Sequence, residues 1–456
     1  MSRVSVIGAG CVGLVTGAGL AELGHTVACV EIDPLRLSNL EKGELPIHEP
    51  GLDELAARHR RAGLLNFSGD YGEAIPESEL VFIAVNTPPS PDGQLDTSCV
   101  LSAVRSTLEH ARRDLIIVIK STVPVGTGDE VAQFAMRSGR RDVKVVSNPE
   151  FLRQGTAIGD FLEPDRIVIG ASPPAAGTGV ATLYEALHVP MVFCSRRSAE
   201  LAKYAANALL ATRISFINEL SGLCEALEAD VEEVAQIVGL DRRIGPDYLR
   251  AGLGWGGSCL PKDVHALAAT AAQSGCRSTI FEAVMGVNAR QRQRAVDHLL
   301  AAVNTTEAPT VGVLGLAFKP DTDDIRGAPA LDIIGRLLEE GIQVRAHDPL
   351  AMGRAREVLP DIHYCHDAYD AGHGSDALLL ATEWRDYLAL DWEKMRWLMR
   401  GRIILDGRNA LDRQLLSGLG FTYRSFGRSP MPGTNGQFSA TEVRPAGRWR
   451  KKVRKP

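Results

Sequence analysis

The first 32 residues constrain the fold more than any other part of the chain. Residues 3–7 have the pattern of a buried strand, and Gly8-Ala9-Gly10-Cys11-Val12-Gly13 follows, before an apolar helical stretch that runs to about Leu23. A second strand is predicted over residues 26–32 and contains Glu31. In such a βαβ unit the glycines allow a tight turn and a close approach to a pyrophosphate, and an acid about 20 residues further on binds a ribose hydroxyl. The N-terminus therefore predicts a Rossmann-type dinucleotide-binding unit.

The acid in this unit also indicates which dinucleotide would bind. Glu31 would repel a 2′-phosphate, so it favours NAD over NADP. Arg36 follows closely and could hold a phosphate, which keeps NADP as the alternative. The pyrophosphate is expected at the N-terminus of the helix, because unpaired N–H groups and the helix dipole favour an anion there.

Composition and charge argue against several classes of protein. The 456 residues are 45% hydrophobic and 23% charged, which is ordinary for a globular protein of about two to four domains. The net charge of −6 argues against nucleic-acid binding through bulk electrostatics. The eight cysteines are scattered without a CxxC pair, so no metal site is predicted and a reducing cytoplasm is expected. Apart from the glycine-interrupted residues 4–21, no uncharged stretch is long enough to span a bilayer.

The rest of the chain continues the alternation of strands and helices. Further strands are predicted over residues 80–85, 115–120, 143–147, 166–169, 311–316, 343–348, 377–381 and 403–405. A long helix is predicted from Ala199 to about Glu228, with Ser198 as its cap. The unit that starts near residue 310 also has a strand that ends in an acid, but it lacks the full glycine pattern. The predicted fold class is α/β, with two Rossmann-like doubly wound domains joined by a long central helix.

This layout predicts four segments. They are an N-terminal NAD-binding domain over residues 1–196, a central helical and dimerisation domain over 197–300, a C-terminal Rossmann-like domain over 301–430, and a basic, disordered tail over 431–456. Residues 441–456 alone hold seven Lys or Arg and one Glu. A tail that is merely solvated and a tail that docks on an anionic surface both remain open.

A thiol in the central segment indicates covalent chemistry. In Gly254-Trp255-Gly256-Gly257-Ser258-Cys259-Leu260-Pro261-Lys262-Asp263, the cysteine follows a glycine-rich loop and precedes a cation and a carboxylate. Glycine lets the backbone approach a ligand closely, and a nearby ammonium favours the thiolate over the thiol. The sequence therefore predicts a reactive cysteine at position 259.

Polar residues elsewhere are expected to face the same crevice. Lys203 and Asn207 are one turn apart on the long helix, so they share a face, and their surroundings are too apolar for a solvated face. Because strand ends line the ligand crevice of a doubly wound sheet, Thr87, Thr122 and Glu150 are expected at the cofactor.

These motifs resemble those of a known family. The chain resembles UDP-glucose 6-dehydrogenases, which are part of the wider UDP-glucose/GDP-mannose dehydrogenase family. It carries the motifs of these enzymes in the same order: GAGCVGL, STVPVG, NPEFLRQG, AELAKYAANALLATRISFINE, RIGPDYL, GLGWGGSCLPKD, FKPDTDDIR and DGRN. The resemblance runs from residue 1 to about 428. It is strongest to the UDP-glucose branch, but enzymes for GDP-mannose or a UDP-N-acetylhexosamine share these motifs and remain the alternative. A two-electron dehydrogenase, which needs no thiol, and a non-catalytic dinucleotide sensor are more distant rivals.

The resemblance implies an NAD-dependent four-electron oxidation of UDP-glucose, with one water, to UDP-glucuronate, a donor for polysaccharide synthesis. Cys259 would add to the aldehyde to form a thiohemiacetal, the second oxidation would leave a thioester, and water would cleave it. Lys203 would assist proton transfer or stabilise an oxyanion with Asn207, and Glu150 would act as general acid or base.

The same resemblance assigns residues to three groups. The catalytic residues are Cys259, Lys203, Asn207, Glu150, Thr122 and Asp263. The cofactor positions are Gly8, Gly10, Gly13, Glu31, Arg36, Thr87, Thr122, Gln154, Lys262 and Arg326. The substrate positions are Glu150, Phe151, Leu152, Lys203, Asn207, Arg243, Gly254, Gly256, Lys319 and Arg408. The family's equivalent of Arg243 comes from a partner subunit, which implies at least a homodimer, and the C-terminal domain would hold the UDP-sugar.

Three residues depart from the family pattern. Gln154 stands where the family usually has Glu, and because an amide takes up no proton, the role of a base falls to Glu150. Cys11 replaces the usual Tyr in the glycine turn, which is expected to change only packing. Ala251 replaces a common Pro before the cysteine loop, which is expected to loosen that loop.

Overall fold

The computed structural model describes residues 1–90, 93–112, 114–304 and 306–428. The basic tail predicted over residues 431–456 lies outside these described residues. Within them, no helix combines the length and the apolar character that crossing a membrane would require.

The strands of the described residues form two separate sheets. They are β1 (Arg3–Ile7), β2 (Thr26–Val30), β3 (Leu65–Ser68), β4 (Leu80–Ile83), β5 (Ile116–Ile119), β6 (Lys144–Ser147), β7 (Ile167–Ala171), β8 (Met191–Cys194), β9 (Thr310–Leu314), β10 (Gln343–His347), β11 (His363–Tyr364), β12 (Ala377–Leu380), β13 (Ile403–Asp406) and β14 (Thr422–Ser425). The N-terminal sheet has the order β3-β2-β1-β4-β5-β6-β7-β8, and only β6 and β7 pair antiparallel. The C-terminal sheet has the order β11-β10-β9-β12-β13-β14. Both sheets thus contain the doubly wound strand order of a Rossmann fold.

Helices cover both sheets and connect them. They are α1 (Cys11–Glu22), α2 (Pro34–Lys42), α3 (Leu52–Arg61), α4 (Tyr71–Ala74), α5 (Ser98–His110), α6 (Thr127–Arg137), α7 (Ala157–Leu162), α8 (Thr178–Leu183), α9 (Arg196–Ala226), α10 (Val231–Gly239), α11 (Leu260–Gln273), α12 (Thr279–Val303), α13 (Pro329–Glu339), α14 (Met352–Val358), α15 (Ala368–Gly372), α16 (Arg385–Leu388), α17 (Trp392–Leu398) and α18 (Arg413–Gly418). The long helix α9 leads from the N-terminal sheet into the central segment. The predicted fold class is confirmed, while the domain limits at residues 196, 300 and 430 stay predictions.

The central strands are apolar because helices pack on both faces of each sheet. β4 and β12 are buried along their whole length, which explains why their sequences are continuous apolar runs. The strands absent from the sequence prediction are β3, β8, β11 and β14. Each lies at a sheet edge and keeps partly exposed side chains. No apolar run marks β3, β11 or β14, whereas β8 is a short apolar run that the sequence prediction missed.

The start of α9 differs from the prediction. The cap is Ser195 rather than Ser198, and the Ser195 hydroxyl accepts a hydrogen bond from the Ser198 amide at 3.1 Å. Two arginines in the first turn, Arg196 and Arg197, would oppose the helix dipole and so argue against this start. Both pair with Asp129 of α6, at 2.8 and 2.7 Å, and this distant carboxylate offsets their charge.

Candidate active site

The glycine turn after β1 has the geometry of a pyrophosphate site. Gly8 has a φ of +100°, and a Cβ at Gly13 would lie 1.8 Å from the Gly8 carbonyl oxygen, so both positions require glycine. No described atom lies within 4 Å of a Cβ built at Gly10, and no described side chain caps the N-terminus of α1. The first N–H groups of α1 therefore face open space, which fits the phosphates of a dinucleotide.

Polar groups at the neighbouring strand ends complete this side of the crevice. Glu31 directly follows β2, and one of its oxygens accepts a hydrogen bond from the Asp33 amide at 3.0 Å. Arg36 is exposed on α2. The Thr87 hydroxyl donates to the Thr122 carbonyl oxygen at 2.7 Å, which ties the loop after β4 to the loop after β5. These predicted cofactor residues thus lie along one edge of the N-terminal sheet, whereas Lys262 and Arg326 belong to α11 and to the loop after β9.

A buried ion pair lies at the centre of the crevice. Lys203 of α9 contacts Glu150, which follows β6, at 2.9 Å, and their side chains are only 4% and 6% exposed. Burial opposes the charge on Lys203, but Glu150, Cys259 and Asp263 outweigh it and raise the pKa of the ammonium. Burial likewise opposes the charge on Glu150, but Lys203 and the Leu152 amide, which donates at 2.6 Å, lower the pKa of the carboxyl. Both groups are therefore charged in the free protein.

A second polar group joins α9 to the start of α11. Asn207 donates through its side-chain nitrogen to Asp263 at 2.6 Å, and Lys262 contacts the other Asp263 oxygen at 2.9 Å. Asp263 is fully buried. The amide orientation of Asn207 is thereby fixed, with its carbonyl oxygen directed away from the carboxylate.

Cys259 lies immediately before α11, between these groups and the crevice. The residue is exposed to the crevice, and its sulfur is 3.7 Å from the Ser258 hydroxyl. Protein nevertheless surrounds the thiol closely enough that burial is the main cause of a raised pKa. Glu150 and Asp263 raise the pKa further, and Lys203 opposes them.

The expectation that the following cation favours the thiolate is therefore wrong for the free protein. Lys262 is paired with Asp263, and the cation that lowers the thiol pKa is Lys203, from a different helix. Because the carboxylates and burial outweigh Lys203, the thiol form is favoured before ligands bind.

The loop after β9 crosses the crevice and contacts the N-terminal domain. Lys319 donates a hydrogen bond to the Gln154 carbonyl oxygen, and the Gln154 side-chain amide donates to the Thr322 hydroxyl at 2.7 Å. Arg326 holds Asp324 with two guanidinium nitrogens, and its carbonyl accepts from the Gly257 amide at 2.9 Å. This loop thus connects both sides of the crevice to the cysteine loop.

Other predicted substrate residues lie along the same crevice. The Arg166 guanidinium lies 3.7 Å above the Phe151 ring, and the Lys203 nitrogen lies 5.6 Å from that ring. Arg408, after β13, donates to the carbonyls of Ala381 at 2.7 Å and Phe318 at 3.1 Å.

The glycines of the cysteine loop are needed for close packing. A Cβ at Gly254 would lie 2.3 Å from the Asn288 side-chain oxygen, and one at Gly256 would lie 2.2 Å from the Gly327 carbonyl oxygen. Both positions therefore hold the loop against neighbouring segments rather than leaving space beside it.

Arg243 is a predicted site residue that lies away from the crevice in the described part of the chain. Its side chain is 88% exposed and pairs with Asp241 at 2.6 Å. Within the described residues it contacts no other predicted site residue.

The sequence motifs did not indicate two buried charged groups that lie beside this site. Glu200 lies one turn before Lys203 on α9, and Lys120 directly follows β5 and donates to the Asn148 side-chain oxygen at 3.0 Å. The signal for Glu200 was available, because an acid three residues before Lys203 shares its apolar helix face.

One group of potential metal ligands exists within the part of the chain that the structure describes. Donor atoms of His363, Cys365 and Asp370 lie within 4.8 Å of one another at the edge of the C-terminal sheet. The Arg345 guanidinium already pairs with the Asp370 carboxylate, which opposes a cation there.

A dinucleotide-binding turn, a second Rossmann-like domain and a thiol beside a buried lysine–carboxylate pair together define an NAD-dependent dehydrogenase. Three family models match the chain: the NAD binding domain of the UDP-glucose/GDP-mannose dehydrogenase family over residues 2–188, its central domain over 197–290, and its UDP binding domain over 312–413. The chain belongs to the UDP-glucose/GDP-mannose dehydrogenase family.

Relatives with known names agree with this assignment. The UDP-glucose 6-dehydrogenase TuaD of Bacillus subtilis is 43% identical over 95% of this chain and 95% of its own length. A UDP-glucose dehydrogenase structure from Pyrobaculum islandicum is 41% identical, with a TM-score of 0.85 over 90% of this chain and 95% of that one. A UDP-D-ManNAc dehydrogenase structure from Pyrococcus horikoshii is 27% identical, with a TM-score of 0.82 over 93% and 99%.

Proposed function

We propose that the protein oxidises UDP-glucose to UDP-glucuronate with two NAD⁺ and one water. The observation that carries the proposal is the exposed thiol of Cys259 beside the Lys203–Glu150 ion pair and the Asn207–Asp263 hydrogen bond, between two nucleotide-binding domains. The higher identity to UDP-glucose enzymes than to the UDP-D-ManNAc enzyme supports this sugar over its siblings.

Bound NAD⁺ supplies the electron acceptor for both oxidations, and the residues of the chain manage the protons. Lys203 keeps its proton because its pKa is raised, so it donates a hydrogen bond to the substrate oxygen at C6. Glu150 is ionised beside it and accepts the proton that leaves the alcohol, directly or through water. Asn207, held by Asp263, supplies the second donor to that oxygen.

The thiol makes the second oxidation possible. The S–H bond of Cys259 breaks and its proton passes to solvent as the sulfur forms a bond to C6 of the aldehyde, and Lys203 stabilises the oxygen anion of the resulting thiohemiacetal. Loss of two electrons and a proton from this adduct leaves a thioester. Attack by water then breaks the carbon–sulfur bond, which releases the carboxylate and restores the thiol.

Cations along the crevice are suited to binding the nucleotide part of the substrate. Lys319 and Arg408 lie on the C-terminal side, and a guanidinium or ammonium forms strong charge-assisted hydrogen bonds with a pyrophosphate. Phe151 and Leu152 line the sugar from the N-terminal side. Lys319 would exchange the Gln154 carbonyl for the substrate when the crevice fills.

We also propose that the protein is at least a homodimer in which Arg243 of the partner subunit completes the substrate site. An exposed apolar stripe along α9 supports this, with Leu209 62%, Phe216 52% and Leu223 53% exposed at intervals of seven residues. Phe216→Asp should convert the dimer to a monomer in light-scattering measurements and lower activity. A wild-type monomer with full activity would contradict the shared site.

A substrate panel tests the reaction. Under saturating NAD⁺, NADH should form from UDP-glucose at two equivalents per sugar, and turnover of GDP-mannose and UDP-N-acetyl sugars should be slower. A ratio of one would support a two-electron dehydrogenase. No NADH from UDP-glucose with rapid turnover of another sugar nucleotide would assign the protein to a sibling activity.

Replacing the thiol tests the covalent mechanism. Cys259→Ser should reduce steady UDP-glucuronate formation by about 10³-fold or more, because the serine hydroxyl is far less nucleophilic, while NAD⁺ affinity stays unchanged. Cys276→Ser, at another exposed cysteine, is the matched control and should keep full activity. Unchanged turnover of the Cys259 variant would exclude the thioester.

A further inference from the structure

The proposed reaction does not use a buried carboxylate that adjoins the site. Glu200 of α9 is only 4% exposed. One of its oxygens accepts a hydrogen bond from the Gly126 amide at 2.6 Å, and the other accepts from the Gly128 amide and the Ser147 hydroxyl, both at 2.8 Å. Each donor therefore contributes to holding a single carboxylate.

The donors come from the two segments that carry other site residues. Gly126 and Gly128 belong to the segment that follows β5, which also holds Thr122. Ser147 ends β6, three residues before Glu150. Glu200 thus joins the helix of Lys203 to the supports of both Thr122 and Glu150.

The packing around this carboxylate is tight. A Cβ at Gly128 would lie 2.7 Å from both the Glu200 oxygen and the Ser147 hydroxyl, so no side chain larger than hydrogen fits there. A small cavity with room for about one water is lined by Thr122, Ser147, Glu200 and Lys203, among others. Lys203 and its supports therefore share one enclosed space.

An ionised carboxylate matches this set of donors better than an amide does. Its two oxygens can accept all three hydrogen bonds at once, whereas an amide would direct an N–H group at an N–H or O–H donor. Burial is the main cause of a raised pKa of the Glu200 carboxyl, and Asp129 raises this pKa further, whereas the three donors lower it.

We propose that Glu200 is a positioning residue that fixes Lys203 at hydrogen-bonding distance from Glu150 and the substrate oxygen. The proposal rests on the proposed function, in which Lys203 holds the oxyanion. When the anchor is lost, the first turns of α9 shift relative to the ends of β5 and β6. Because Lys203 acts on the transition state, the loss appears in kcat rather than in KM.

A double-mutant cycle with Glu200→Gln and Lys203→Ala tests the proposal. Glu200→Gln should lower kcat by about 10- to 100-fold with less than a threefold change in either KM, since only transition-state contacts are disturbed. In the Lys203→Ala background, Glu200→Gln should change kcat by less than twofold, because the group that it positions is already missing. Independent, multiplicative losses would overturn the proposal and leave Glu200 a purely structural residue.

Controls separate positioning from misfolding and from failure of the proposed function. Glu130→Gln removes an exposed carboxylate from the same end of α6 and should keep wild-type kcat. Ser147→Ala removes one donor alone, should lower kcat about threefold, and replaces Glu200→Gln in the cycle if that variant does not fold. If the wild type oxidises a different sugar nucleotide, the proposed substrate falls, and the cycle is run with that sugar nucleotide to judge Glu200 separately.

Discussion

The two Rossmann-like domains place an acid at the same point of the fold and use it in opposite ways. Glu31 follows β2 of the N-terminal sheet, and Asp348 follows β10 of the C-terminal sheet. Among the described residues, Glu31 accepts one hydrogen bond, from Asp33. Asp348 is fully buried and accepts from the amides of Leu316, Ala317, Leu350 and Ala351 and from the indole of Trp384. The first acid keeps acceptor capacity for a ligand, and the second is occupied by its own domain.

The turns that follow the first strand of each sheet also differ, because one is short and open and the other is long and contacts the other domain. In the N-terminal domain, residues 8–10 alone separate β1 from α1, so the N-terminus of α1 faces the crevice. In the C-terminal domain, residues 315–328 separate β9 from α13 and reach across to Gln154. The same topology thus provides an open cofactor site in one half and a bridging loop in the other.

The largest expected effect comes from removing Asp348, the acid whose carboxylate is occupied by hydrogen bonds within its own domain. Asp348→Ala should lower the free energy of unfolding by about 3–5 kcal/mol, because several buried donors lose their only acceptor. Urea denaturation measures this loss, and Glu31→Ala is the matched control, expected to stay within about 1 kcal/mol of wild type. Equal stability of the two variants would remove the distinction between the acids.

Removing Glu31 should instead weaken the binding of the cofactor. Glu31→Ala should raise the KM for NAD⁺ by about 10- to 100-fold, which corresponds to the loss of charge-assisted hydrogen bonds to a ribose. Activity with NADP⁺ should rise relative to NAD⁺, because the charge that repels a 2′-phosphate is gone. Initial rates with both cofactors measure this change. An unchanged preference would show that Arg36 or another group selects the cofactor.

The N-terminal domain also buries a cation whose charge is costly. Burial is the main cause that lowers the pKa of Lys120 to about 8, with Glu150 opposing the shift. Between about 8 and its ordinary 10.5, the unfolded chain binds a proton that the folded protein does not, so stability attributable to this group rises with pH. Lys120→Met should therefore lose a few degrees of that rise in melting temperature, as expected for about 3 kcal/mol in a chain of this size. Lys144→Met, at an exposed lysine, should follow the wild-type curve.

The smallest expected effect concerns glycines in the first helices of the two units. Gly13 of α1 admits no Cβ, whereas no described atom lies within 4 Å of a Cβ built at Gly335 of α13. Gly335→Ala should stabilise the protein by about 0.5–1 kcal/mol through helix propensity and leave activity unchanged. A destabilised variant would show that α13 depends on close packing as α1 does.

Local spacing allowed much of the fold and the cofactor turn to be predicted. Glycines 8, 10 and 13 and the acid at 31 lie within one βαβ unit, so their geometry follows from the chain itself. The start of α9 could not be predicted from local spacing, because Asp129, which offsets the charges of Arg196 and Arg197, is distant in sequence. The opposite uses of Glu31 and Asp348 were equally hidden, since both simply follow a strand. The raised pKa of Cys259 depends mainly on burial and then on Glu150, and only folding produces that burial and brings Glu150 near the sulfur.

The contact between Gln154 and Thr322 has a consequence for how the two domains move. An amide and a hydroxyl hold the seam there, and neither group changes protonation state near neutrality or is screened by dissolved ions. The strength of this hydrogen bond should therefore be the same in dilute and concentrated buffer, whereas the neighbouring contact of the Lys319 ammonium with the Gln154 carbonyl oxygen should weaken as salt is added.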